Sequence, residues 1–553
     1  MAHRLGWPHR GQQVGSGVWG MISVAGLQFS SRGWFRLGFP LPRRIKLFPA
    51  RLSRPAAVVV LLLLGHSLLH FALGWVLGLT GDEAHYAMYA AHPDLSYYDH
   101  PPLVGWIQWP LVALNVPDGI LRLIPQTLWV VTGLLVFACG RRLQGLFSPA
   151  AGSADAAGLW ALGAFSLAPV LHVLGIGLLP DSLLMTLTAA VLWQTLRMLD
   201  GAEVQRLRAW LVLGALLGLA GLSKYTAIFA ALPVLACLLT AHGWRLLLRP
   251  APWVALLLAV ALVLPVFVWN AQHGWISFAY QLHHGAGSQW QWTPMVQFLL
   301  VQALLYPLLA WGALGLRRAR MSGGGVRLRG VQVGLLSFFA LPFGVLMYLS
   351  GGGSGLPHWT APAWVALAPF AGVGLAALWA SGRRRLIWVL GAGQAAVCLL
   401  IYTLMLTAGP PWMGRSEQPE PINPFTDFYG WDTAGRKAQQ LAREHQLSHL
   451  AVQNWTLASR LAWYARPLPV HVLDPAFDQF SLWSGDLPVG ESAVLMDWSQ
   501  MAYKLPVGEG RFERCTPLDT LVVERAWRPV ASFSFYLCSH WGGRPAPKRW
   551  DEP

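Results

Sequence analysis

The chain reads as an α-helical multipass membrane protein with a C-terminal exported α/β domain, and three observations predict that class. Of its 553 residues, 55% are hydrophobic and only 12% are charged, a balance unsuited to a soluble globule. Apolar runs near the roughly 20 residues that span a bilayer recur from residue 56 to residue 407. Beyond Leu406, Pro410, Pro411, Pro419, Pro421 and Pro424 mark a linker, and acidic residues then become frequent.

Residues 1–55 are Arg-rich with scattered Gly and Pro, and no cleavage-type sequence follows the first apolar run. This predicts a disordered, basic cytoplasmic leader and an uncleaved first helix. The membrane region, 56–407, contains apolar stretches near 56–79, 120–140, 157–176, 180–199, 208–223, 225–241, 252–270, 294–316, 329–350, 357–380 and 385–407. That is about 11 transmembrane helices. Arginine clusters at Arg43/Arg44, Arg141/Arg142, Arg206/Arg208, Arg245/Arg249, Arg317/Arg318/Arg320 and Arg383/Arg384/Arg385 occupy every second connection. By the positive-inside rule these face the cytoplasm. The alternate connections, near 80–118, 177–181, 224, 271–293 and 351–356, then face the periplasm across the inner (cytoplasmic) membrane. The net charge of +15 is spent on this pattern. With no basic face or recognition module beside it, nucleic acid is excluded as a partner.

The exported domain, 408–553, reads as helices at Thr433–Gln446 and Thr456–Tyr464 and strands at His449–Gln453, Val470–Leu473 and Ala493–Met496. A terminal hairpin of Thr520–Glu524 and Val530–Leu537 completes it. Cys139, Cys237 and Cys398 lie in apolar runs as small buried residues, whereas Cys515 and Cys538 are in the polar region, where export allows a disulfide.

Carboxylates are scarce, yet Asp82, Glu83, Asp94, Asp99, Asp118 and Asp181 all fall on the outward side. Asp82 and Glu83 open a short Ala- and Tyr-rich segment expected to lie along the membrane interface. The pair suits helix capping or chemistry. Just beyond it, Tyr97-Tyr98-Asp99-His100-Pro101-Pro102 holds another carboxylate and histidine in a stiff turn. Asp181, in Pro180-Asp181-Ser182, is a second cap or site residue, and Lys224 is an isolated outward lysine that suits either snorkelling or a phosphate clamp. His283 and His284 are incidental, or they join nearby carboxylates on a divalent metal cation.

One reaction uses this inventory together: sugar transfer from a lipid-phosphate donor. The acceptor hydroxyl needs a base, the departing phosphate needs positive charge, and a polyprenyl tail needs a groove open to lipid. In a single in-line displacement Asp82 deprotonates the acceptor, while Lys224 with His85 or His100, alone or with a metal, stabilises the leaving phosphate. The anomeric configuration inverts.

These residues resemble the GT-C class of membrane glycosyltransferases, specifically the bacterial glycosyltransferase family 39 members related to protein O-mannosyltransferases and to the aminoarabinose transferase of lipid A. The resemblance rests on Asp82-Glu83-Ala84-His85-Tyr86, Tyr98-Asp99-His100-Pro101-Pro102-Leu103, Pro180-Asp181, Ser223-Lys224 and His358-Trp359 with Pro362, taken in order. Phe425 to Asp432, Asn454-Trp455 and Gln479-Phe480 look like the exported domain of the same subgroup.

It implies a GT-C-like fold, Asp82 as catalytic carboxylate with Asp181 in support, Lys224 on the lipid phosphate, and a metal in some members on Asp99 and a histidine such as His284. The implied partners are a polyprenyl-phosphate sugar donor, membrane lipids, and an acceptor that is a lipid, a glycan or a protein. His85 and His100 stand where the aminoarabinose transferases usually carry Arg and Lys. That difference makes transfer to lipid A doubtful and phosphate contacts pH-dependent. The competing class is a transporter or flippase of lipid-linked saccharides. Ionisable residues at outer helix ends, and not at the midplane, favour an interfacial enzyme.

Overall fold

Apolar length and proline placement set the membrane part of this computed structural model, which describes residues 53–147, 153–286, 289–318, 326–353, 355–412 and 423–545. The leader before residue 53 lies outside the described residues, as do the side chains of His283 and His284. All eleven apolar stretches are helical. Seven are long and apolar enough to cross a membrane singly, and nine if two bent pairs each count as one span. The bends of 74° and 83° fall before Pro169 and Pro307, each of which starts a new helix, the position proline favours because its missing N–H needs no partner there. The remaining two stretches are Pro180–Met198, which carries Asp181, Gln194 and Arg197, and Leu207–Ser223, which is only 17 residues long.

Pro357–Ala380 runs through the middle of the bundle with 89% of its apolar window buried. Glycines let neighbours touch its backbone. A Cβ at Gly372 would stand 2.3 Å from Ala157 O, and one at Gly374 would stand 1.9 Å from Gly312 O. Without a hydrophobic force between helices in lipid, such small-residue contact is what packs them.

Two short helices, Gly81–Ala91 and Leu103–Ala113, follow the first membrane helix, Arg54–Val76. The first, expected to lie along the membrane interface, is instead buried along almost its whole length. Its roof is the C-terminal region. There a five-stranded sheet has the order β2-β1-β3-β5-β4, with β1 Leu450–Val452, β2 Val470–Val472, β3 Ala493–Trp498, β4 Arg514–Arg525 and β5 Arg528–Ser539. β2, β1 and β3 are parallel, and β5 and β4 add antiparallel. Cys515 and Cys538 face each other in the β4–β5 register and are joined as a disulfide. The chain from Ser53 onward forms one compact unit, so the region expected as a separate domain is seated directly on the membrane helices.

That seat is polar. Gly78 N donates to Phe428 O (3.1 Å), Leu79 N to Tyr464 Oη (3.1 Å), and Gly81 N to Asp427 Oδ2 (3.0 Å). Tyr464 Oη and Trp463 Nε1 donate to Asp118 at 2.6 and 3.1 Å. Below it Thr80 and Glu83 form a reciprocal capping box, and Arg122 holds Glu83 from the other side with Nε at 2.7 Å and Nη2 at 2.7 Å. Both partners are buried, at 1% and 5% exposure. The guanidinium also closes the end of the first membrane helix, donating to Gly74 O (3.1 Å), Leu77 O and Gly78 O (2.8 Å).

Removing one member of a buried pair strands the other charge. Arg122→Met is therefore expected to lower the unfolding free energy by about 3–5 kcal/mol. Thermal unfolding of the purified protein in detergent checks this, and an unchanged melting temperature would contradict it.

Candidate active site

The two carboxylates that open the Gly81–Ala91 helix have different surroundings. Both Glu83 oxygens are taken by Thr80 and Arg122, so its geometry is that of a cap and an anchor. Asp82, one residue earlier, points the other way. It is half-buried, and among the described residues it accepts no hydrogen bond and forms no ion pair. Its charge acts on Tyr86, His358 and Arg460, which places it between the membrane helices and the C-terminal domain.

Asp181 and Lys224 lie at the starts of adjacent segments. Ser223 Oγ donates to Pro180 O at 2.9 Å and fixes their spacing. Lys224 Nζ then reaches both Asp181 oxygens, at 2.8 and 2.7 Å, with both side chains buried. An ammonium has three N–H donors, so two are spent and one is left. Lys224 Nζ also stands 5.5 Å from the centre of the Trp359 ring. Beside it His358 Nε2 is 3.8 Å from Asp181 Oδ2. Trp359 continues into a small cavity of about 20 Å3 between the membrane helices, lined by Leu184, Phe229, Phe338, Leu346 and Pro362.

The histidines divide in the same way as the carboxylates. His85, expected to touch phosphate, is buried under the C-terminal domain, with Nδ1 3.1 Å from Ser459 Oγ and Nε2 3.4 Å from Asp99 Oδ2. Trp455 and Trp483 pack on its ring. Asp99 also accepts from Tyr89 Oη. Burial by itself raises the Asp99 carboxyl, but His85, His100 and the Tyr89 hydroxyl outweigh it and hold the group well below the usual carboxylate range.

His100 packs on Tyr86 with ring centres 5.6 Å apart, and its Nδ1 is buried without a hydrogen-bond partner. Burial, helped by Lys224, pushes it down to about 4 against the opposing pull of Asp99 and Asp181. His100 is therefore neutral in the physiological range. Desolvation and a neighbouring ammonium both disfavour the imidazolium.

The metal expectation rests on Asp99 and His284. Asp99 is already engaged by Tyr89 and His85, the His284 side chain lies outside the described residues, and among the described residues no group of three or more His, Cys, Asp or Glu is arranged to hold a metal ion. No step below passes through a metal.

Three contributors were outside the sequence-based site list: His358, Arg122 and Arg460. His358 was quoted only as part of a motif. Arg122 carried a signal, being a lone arginine at the outward head of an apolar run, against the charge pattern. Arg460 comes from the C-terminal domain and is 1% exposed. Its guanidinium lies on Trp431 at 3.8 Å and Trp498 at 4.9 Å, pairs with Asp427, and would stand 3.7 Å from a Cβ at Gly81.

Comparison with known proteins matches residues 99–269 to the family model described as dolichyl-phosphate-mannose-protein mannosyltransferase. A lipid A galacturonosyltransferase, RgtD, from Rhizobium johnstonii is 25% identical over 194 residues. That alignment spans 35% of this chain and 38% of the relative. ArnT from Cupriavidus metallidurans in its apo state superposes with a TM-score of 0.54 at 16% identity, over 87% of this chain and 98% of that one. The same protein bound to undecaprenyl phosphate gives a TM-score of 0.56 at 16% identity, over 86% and 98%. The family match is confined to residues 99–269, and the superposition shows that this chain and ArnT share a multipass membrane fold.

Proposed function

We propose that the chain transfers a sugar from a polyprenyl-phosphate-linked donor to an acceptor at the periplasmic face of the inner membrane, with inversion at the anomeric carbon. The observation that carries this reading is the buried pair of Lys224 with Asp181, in which the ammonium keeps one N–H donor, in a fold that also leaves the Asp82 carboxylate unengaged among the described residues. Asp82 takes the acceptor's proton as its oxygen attacks the anomeric carbon. The bond from that carbon to the phosphate oxygen breaks, and its electron pair leaves with the lipid phosphate. New negative charge then meets the free N–H of Lys224 and the neutral His100 imidazole in a water-poor site, where preorganised donors act most strongly.

Asp181 keeps Lys224 in place, and the apolar side chains of the membrane helices beside Trp359 offer surroundings of the kind that a polyprenyl chain requires. The undecaprenyl phosphate complex of ArnT supports that class of donor. The disulfide in the C-terminal region supports an oxidising compartment on the side of the site. The arginine connections gather at the opposite ends of the helices, where Arg142 Nε donates to Leu196 O (3.0 Å) and Arg141 pairs with Asp155 (2.8 Å). The relatives' names point to different acceptors, protein in one and lipid A in another, so the acceptor stays a lipid, a glycan or a protein.

With a lipid-linked donor and the parent enzyme as reference, Asp82→Asn is expected to cut turnover by about 10²–10⁴-fold, the usual worth of a general base, while donor binding persists. Turnover equal to the parent would remove Asp82 from the mechanism. Lys224→Ala is expected to weaken donor affinity by about 10–100-fold, the worth of a charge-assisted hydrogen bond. An unchanged affinity would leave Lys224 as a counter-ion for Asp181 alone.

A further inference from the structure

The β4–β5 hairpin turns through Ala526 and Trp527, both with positive φ (49° and 57°). Two-residue turns of this hand favour Asn and Gly because side chains at positive φ are strained. Here the second position holds the bulkiest side chain available, and it is fully exposed. A strained turn that displays an indole to water has no gain in the folded chain by itself.

Its location supplies the gain. Next to the tip, Arg528 Nη2 donates to Thr407 O (3.2 Å), Ala408 O (3.3 Å) and Gly409 O (2.7 Å), the last carbonyls of the membrane helix Arg384–Thr407. Val523 and Val530, just behind the tip, pack with Leu73, Leu77 and Met405 from the same ends of the first and last membrane helices. The tip thus stands at the level where those helices leave the bilayer. Trp75, half-exposed, flanks it from the first helix. A groove of about 490 Å3 runs along Trp75, Gly78, Phe428 and Arg525. Arg525 lies 4.4 Å over the Tyr429 ring, with its Nε buried and without a hydrogen-bond partner.

We propose that the hairpin tip inserts Trp527 into the bilayer interface, with Arg525 below it facing lipid phosphate, so that the C-terminal domain is held on the membrane surface by lipid as well as by protein. An indole suits that depth, being apolar with one polar edge, and a guanidinium beside it suits the headgroup layer. The partner is the membrane itself. This reading is independent of the reaction catalysed.

The test places an environment-sensitive fluorophore on Trp527→Cys in the full chain, reconstituted in nanodiscs that contain nitroxide-bearing phosphatidylcholine. Ala526→Cys serves as a second reporter at the tip should the first fail to fold. Val489→Cys, on an exposed residue of the same domain, serves as the water-facing control. The native cysteines stay silent because three are buried and two are paired. Expected is a loss of about half of the tip emission to lipid nitroxide with little quenching by aqueous iodide, and the reverse at position 489. Iodide quenching at the tip equal to that at position 489, or equal lipid quenching at both positions, would overturn the proposal.

Discussion

The site depends on one buried ion pair, Arg122 with Glu83. Two adjacent carboxylates at the start of one helix repel each other and compete for the same backbone amides. The fold resolves this by committing Glu83 wholly to Arg122 and Thr80. Because the same guanidinium closes the last carbonyls of the first membrane helix, the pair also fixes how the chain turns from that helix into Gly81–Ala91. Asp82 is left as the carboxylate with no partner, held rigidly by its neighbour's contacts. A buried pair of this kind adds little net stability over apolar packing, and its worth here is geometric.

Over this arrangement the C-terminal domain acts as a roof. Asp427 accepts from the first amide of the Gly81–Ala91 helix, and Arg460, stacked on two tryptophans, brings a cation to the far side of the same turn. Ser459 and Asp99 hold His85 between them. The site is therefore built by two regions far apart in sequence, one that lies in the membrane and presents Asp181, Lys224 and His358, and one outside it that positions the Asp82 turn.

Much of this was legible in the sequence. Apolar length located eleven helical stretches, of which seven to nine among the described residues are long and apolar enough to span a membrane; periodicity located five strands and two helices of the C-terminal region, but not the short helix Gln479–Trp483 or the first six residues of β4. Asp82, Asp181, Lys224 and His100 were legible because charge on an apolar chain is conspicuous. What was not legible depends on contacts that leave no periodic trace. Glu83 finds Arg122 across a helix, and His85 finds Ser459 across most of the chain, so a histidine that read as a phosphate ligand is a packing residue under a roof. The helix expected at the membrane surface is buried for the same reason. The state of His100 was also hidden, since it follows from burial beside Lys224 and not from its own neighbours in sequence.

The proposed roles, Asp82 as base and Lys224 as phosphate contact, imply a single displacement at the anomeric carbon. The most direct measurement of that claim is the anomeric configuration of the product, read by proton NMR from the coupling and shift of the transferred sugar's anomeric proton and compared with the lipid-linked donor. Inversion is predicted. A product that keeps the donor's configuration would contradict the account, because it would require a covalent intermediate.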